Sequence, residues 1–92
     1  MLKRYLCTAL LLLAFTASIQ TTFANNYDFY MDKAHAYFKD KKYSETIKAC
    51  DNAINLNPND AKAYYQRAYA KNHLGKYDEA TKDYNKSVEL QK

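Results

Sequence analysis

Glycine and proline occur once each in this 92-residue chain, cysteine and histidine twice each. With a single glycine there is no glycine-rich loop to cradle a phosphate. His35 and His73 are not four apart on one helix and no glutamate motif accompanies them, so the pattern of a catalytic zinc is missing. A Cys50–His35 pair is the one remaining nucleophilic arrangement, and Cys50 falls on the inward face of its helix. No enzyme activity, metal or cofactor is expected. Basic residues number 14 and acidic ones 10, interspersed without a block of the kind that tracks phosphates, so nucleic acid is not an expected partner. Asn85-Lys86-Ser87 is a glycosylation sequon, but it falls within a helix and is discounted.

No apolar run approaches the roughly 20 residues that a membrane-spanning helix requires. The longest is Tyr5–Phe15, interrupted only by Thr8 and preceded by Lys3 and Arg4. A more polar stretch follows and ends Thr22-Phe23-Ala24, with small residues three before and one before a potential cut. This is the three-part layout of a secretory signal peptide. Residues 1–24 are therefore expected to be removed and the protein to be secreted or periplasmic. An uncleaved membrane tether is the alternative, and membrane contact is expected only in that case. Cys7 lies inside the apolar run rather than at its end, which does not suit lipidation. Cleavage leaves 12 basic residues against 10 acidic ones and Cys50 as the only thiol. No internal disulfide is then possible. Cys50 either pairs between chains or packs as a small hydrophobe, and the second is expected.

What the chain does have is an internal echo. Residues 27–60 and 61–92 align at a constant shift of 34: Tyr30 with Tyr64, Ala34 with Ala68, Lys42-Tyr43 with Lys76-Tyr77, Glu45 with Glu79, Leu56 with Leu90. A fixed period of this length signals stacked supersecondary units. Apolar residues recur at spacings of three and four, which predicts four helices: Asp28–Asp40, Ser44–Asn57, Asp60–Leu74 and Asp78–Leu90. Ser44 and Asp78 are expected N-caps, Glu45 and Glu79 favour the positive helix ends, and Asn59 or Asp60 caps the third helix. Gly75 is free to adopt the left-handed conformation that ends a helix. Lys41 holds the same place in the first repeat, where it is costlier. Alanine at 34 and 68 lets paired helices approach closely. Tyr43 and Tyr77 cover the hairpin joints.

Helix–turn–helix units of this length resemble tetratricopeptide repeats. LGKYDEA (Leu74–Ala80) and AINLNPNDAKAY (Ala53–Tyr64) carry the resemblance, with Tyr30 and Tyr64 where the family usually has tryptophan. Pro58 stands at its closing proline. The resemblance implies an all-α domain over 25–92, two tandem hairpins in a short right-handed superhelical stack. There are departures. Lys33 and Arg67 replace the usual leucine and Thr46 an alanine. Lys71, Thr81 and Ser87 stand where the first repeat has Tyr37, Ile47 and Ala53. The polar drift of the second repeat is expected to form a solvent-facing cap.

The same resemblance implies a concave groove lined by the first helix of each repeat, holding a peptide or protein segment. Its residues here are Met31, His35, Phe38, Tyr65, Tyr69 and Asn72, all expected to be partly exposed, with Asp28, Lys62 and His73 at the margins. Some family members clamp a terminal carboxylate with lysines and asparagines. Met31, His35, Tyr65 and Tyr69 occupy those sites here, so that clamp is not expected. Two repeats are few for independent stability, and self-association as a homo-oligomer is the further expectation.

Overall fold

The computed structural model describes residues 26–92; the expected signal peptide, its cleavage site and Cys7 lie outside them. Four helices follow one another: α1 over 26–39, α2 Tyr43–Leu56, α3 Ala61–His73 and α4 Tyr77–Leu90. No strand occurs among the described residues. α1 and α2 form the first hairpin, α3 and α4 the second, and α3 packs on the first hairpin as well as on α4. The expected all-α pair of tandem hairpins is what the chain forms.

The two hairpin turns are built alike. Gly75 N–H donates to Asn72 O at 3.0 Å and Lys76 N–H to Lys71 O at 2.9 Å. In the first repeat Lys41 N–H donates to Phe38 O at 3.0 Å and Lys42 N–H to Tyr37 O at 2.9 Å. Both are Schellman closures, which require a left-handed residue after the helix. Gly75 has φ +78° and Lys41 φ +61°, so the lysine adopts a conformation that its Cβ disfavours.

This closure also corrects the predicted caps of α2 and α4. Lys42 O already accepts from Thr46 N–H at 3.0 Å, and Lys76 O from Ala80 N–H at 3.0 Å. Each second helix therefore starts at its tyrosine, one residue earlier than expected. Ser44 and Asp78 fall inside the first turn, and Lys42 and Lys76 are the caps, without a side-chain hydrogen bond. Glu45, Asp78 and Glu79 remain in the first turns, where their charge favours the positive helix end. Of the alternatives for α3, Asp60 is the cap: its Oδ1 accepts from Lys62 N–H at 3.0 Å. Its other oxygen accepts from the Tyr27 hydroxyl, which ties the start of α1 to the start of α3.

The core is made of small residues. Among the described residues, seven of the nine buried apolar ones are alanines, including Ala34, Ala53, Ala63 and Ala68, each with no exposed surface. Alanine contributes little area of its own but lets helix backbones come close, and larger half-buried side chains close the edges. Tyr27, Tyr30 and Ile54 pack on Met31, Ala53 and Ala63, while Tyr37 packs on Ala34, Ala49 and Cys50. Cys50 is fully buried and burial pushes its thiol up to about 12, so it behaves as a core hydrophobe.

An ionic cluster joins three helices across this core. Arg67 on α3 donates from Nε and Nη2 to both oxygens of Asp83 on α4, at 2.8 and 2.7 Å. Its Nη1 donates to Asp51 on α2 at 2.8 Å. Lys71 Nζ lies 2.9 Å from Asp83. Asp83, Lys71 and Ser87 are thus turned inward, and the expectation that Lys71 and Ser87 form an outer polar cap is corrected. Lys71 replaces Tyr37 where Asp83 replaces Ala49: the second hairpin swaps an aromatic–alanine contact for an ion pair. Burial raises the Asp83 carboxyl, but hydrogen bonds from Arg67 and Lys71 outweigh it and hold the carboxyl below its ordinary value of 3.8.

Lys41→Gly should raise stability by about 0.5–1 kcal/mol. Gly75→Ala, which meets no atom within 4 Å and suffers only from its φ, should lower it by about 1 kcal/mol. Urea unfolding of the two variants measures both. Asp83→Ala strands Arg67 and Lys71 and should cost about 3 kcal/mol, whereas adding Lys71→Tyr removes one of the two stranded cations and should recover about 1 kcal/mol of that loss. Because the Asp83 carboxyl is depressed, its contribution is present above its ordinary value and fades as pH falls through the folded-state value. Urea unfolding at stepped pH should show the gap between parent and Asp83→Asn closing under acid.

Candidate functional site

Met31 brings α1 against α3 by packing on Ala63, and Phe38 does so one end further on by meeting Tyr69. The two helices thereby present one continuous surface of α1 and α3 side chains. Phe38 lies edge-on to Tyr69 with ring centres 5.8 Å apart, and edge-on to His73 at 5.5 Å. His73 in turn stacks flat on Tyr43, 4.4 Å away and 3° from parallel. Tyr65 leans on Tyr69 at 5.3 Å. Tyr84 backs both tyrosines from α4, at 5.5 Å from Tyr65 and 6.3 Å from Tyr69. The Asn72 amide donates to the Tyr84 hydroxyl at 3.4 Å. Six rings drawn from all four helices thus form one connected aromatic belt.

The expected site residues divide. His35, Tyr65, Tyr69 and Asn72 are exposed and Phe38 is half-buried. Met31 differs: it is 7 % exposed and sits in the core between Ala53 and Ala63. The reason is the small size of Ala63, which leaves room for the methionine beneath α3. Two open depressions flank His35. One, of about 420 Å³, is bordered by Asp28, Met31, Asp32, His35 and Lys62. The other, of about 340 Å³, is bordered by His35, Lys62, Tyr65 and Gln66. His35 is a wall of both depressions, as is Lys62, which was expected at a margin, while His73 belongs to the belt. The Tyr65 hydroxyl is held above its ordinary value, first by the neighbouring Tyr69 hydroxyl.

Sequence reasoning missed Tyr43 and Tyr84 as parts of this surface. Tyr43 was expected only to cover a hairpin joint, and no spacing in the sequence marks Tyr84 as part of a surface. Their partners His73 and Tyr65 lie on other helices, at separations that no helical period marks. Chemically the belt offers flat, polarisable faces with hydroxyl and amide groups between them. That suits contact area and hydrogen bonding to a chain segment.

A profile described as Tetratricopeptide repeat matches residues 27–60, and a second with the same description matches 49–82. Together they run continuously through α1, α2 and α3 into α4. The chain belongs to the tetratricopeptide-repeat family. Similar proteins include Hsp70-Hsp90 organizing protein 3 of Arabidopsis thaliana, 42 % identical over 59 residues, which are 64 % of this chain and 11 % of that protein. Heat shock protein STI1 of Saccharomyces cerevisiae is 30 % identical over 76 residues, 83 % of this chain and 13 % of that protein. RNA polymerase II-associated protein 3 of Homo sapiens is 40 % identical over 60 residues, 65 % of this chain and 9 % of that protein. The chain spans about a tenth of the length of these relatives.

Stacking of Tyr43 on His73 should couple the two repeats. A double-mutant cycle with Tyr43→Leu and His73→Ala, read by urea unfolding, should give a coupling of about 0.5–1.5 kcal/mol.

Proposed function

We propose that this tetratricopeptide-repeat chain is an exported protein–protein interaction module that holds an extended peptide or protein segment along the α1–α3 surface. The observation that carries the reading is the exposure of Tyr65 and Tyr69 in a row with Phe38. These are large rings on two neighbouring helices that the hairpin cores do not consume. The depressions on either side of His35 extend that row and give a segment side-chain-sized places to settle. The relatives support the class of activity, since the Hsp70-Hsp90 organizing proteins are named for organizing two other proteins. The sites where some family members clamp a carboxylate hold Met31, His35, Tyr65 and Tyr69 here. The segment is therefore bound through its side chains and backbone rather than through its terminus. Export follows from the leader: residues 1–24 carry the layout of a signal peptide, and the active chain begins at Asn25.

Photo-crosslinking in the compartment the protein reaches, followed by mass spectrometry, identifies the partner and the mass of the chain together. Tyr69→Ala with Phe38→Ala should weaken partner capture about tenfold or more, with the oligomeric state unchanged. Undiminished capture rules out the groove, and a recovered chain that retains residues 1–24 rules out the cleaved form.

A further inference from the structure

The junction between the two repeats is a template for what their free ends lack. Four contacts build it on the α1–α2 side and the α3 side. Met31 and Ile54 pack with Ala63. Tyr43 stacks on His73. Asp51 accepts from Arg67. Phe38 meets Tyr69. Moving each residue by the 34-residue period shows what the outer ends carry at the same places. On the far face of the second repeat, Met31, Ile54, Tyr43, Asp51 and Phe38 become Tyr65, Val88, Tyr77, Asn85 and Asn72. On the near face of the first repeat, Ala63, His73, Arg67 and Tyr69 become Phe29, Lys39, Lys33 and His35.

The exposure of these residues follows from that mapping. Met31 is 7 % exposed where α3 covers it, but its counterpart Tyr65 is 47 % exposed. Tyr43 is half-buried beneath His73, but Tyr77 is 67 % exposed, and Val88 is 59 % exposed. At the opposite end Phe29 is 52 % exposed where its counterpart Ala63 is fully buried. Four of the six exposed large apolar residues are thus the unmatched halves of junction contacts. Their chemistry is complementary end to end. Lys39 of one copy falls over Tyr77 of the next as a cation over a ring. Lys33 faces the Asn85 side-chain carbonyl, as Arg67 faces Asp51. Phe29 faces Val88 and Tyr65; both rings are bulkier than Ala63 and Met31 at the corresponding places, so the seam between copies is wider than the internal junction. Lys33 and Tyr37 also border an open depression of about 170 Å³ on the near face, beside Lys48 and Asn52, with room for a knob from an incoming helix.

We infer that copies of this chain stack head to tail, the α4 end of one on the α1 end of the next, in the register of the internal junction. The contact is heterologous, so it leaves an open face at each end and adds copies rather than closing a pair. It also gives each copy the third and fourth repeats that a two-repeat unit lacks. The stack leaves Tyr69 and Phe38 free but covers Tyr65 and sets Asn72 against His35, so it competes with the peptide-binding reading at that end of the row.

Sedimentation of the full chain from micromolar to millimolar concentration should show mass growing stepwise past the dimer. Val88→Lys blocks the far face and Phe29→Asp the near face; each alone should weaken association about tenfold or more. Their mixture has one open far face and one open near face, and should form a capped 1:1 dimer that grows no further. Tyr77→Lys, at a fully outward side chain, repeats the far-face block, and circular dichroism of each variant checks folding. Three results overturn the inference: a monomer throughout, association unmoved by any of the substitutions, or loss from one face only with no rescue on mixing.

Discussion

Everything in this molecule depends on the close approach of helices across alanines. A core of Ala34, Ala53, Ala63 and Ala68 brings backbones together but removes little apolar surface from water. Side chains at the rim of each contact therefore carry a larger share of the cohesion than in a leucine-rich bundle. Tyr27, Tyr30 and Tyr37 supply ring area at that rim, and Arg67 supplies a charge that reaches both neighbouring helices. The Arg67 fork fixes the angle of α3 between α2 and α4, and α3 is the helix that presents Tyr65, Tyr69 and Asn72. The surface proposed to hold a segment is positioned by an ion pair on the other side of the same helix.

Much of this was legible in the sequence, for local reasons. Pro58, Asp60 and Gly75 mark helix ends by backbone chemistry that does not depend on tertiary context. The constant shift of 34 residues then fixes the pairing of hairpins. Helix starts at Tyr43 and Tyr77 were displaced by one residue because the preceding turn, not a capping side chain, decides where the next helix begins.

The less legible features depend on partners from another helix. Met31 is buried because Ala63 is small, and nothing near Met31 in the chain says so. Lys71 and Ser87 looked like surface drift because polar residues in a terminal repeat usually are. The missing clue was pairwise. Tyr37 and Ala49 become Lys71 and Asp83 together, and opposite charges at two facing positions belong inside rather than outside. The belt shows the same limit, since Tyr43 and His73 meet only once the hairpins are stacked.

The left-handed lysine has a kinetic meaning as well as an energetic one. The two hairpin turns share one hydrogen-bond pattern, but only the second has a residue suited to it. The closure of the first hairpin therefore carries a strain that a glycine there would relieve, which lowers the cost of parting α1 from α2. Cys50 sits at that seam with Ala34, shielded only while it is shut. With an oxidant or alkylating reagent added in vitro, the rate at which the Cys50 thiol is modified counts the openings of a hairpin whose turn is set nine residues earlier, at Lys41.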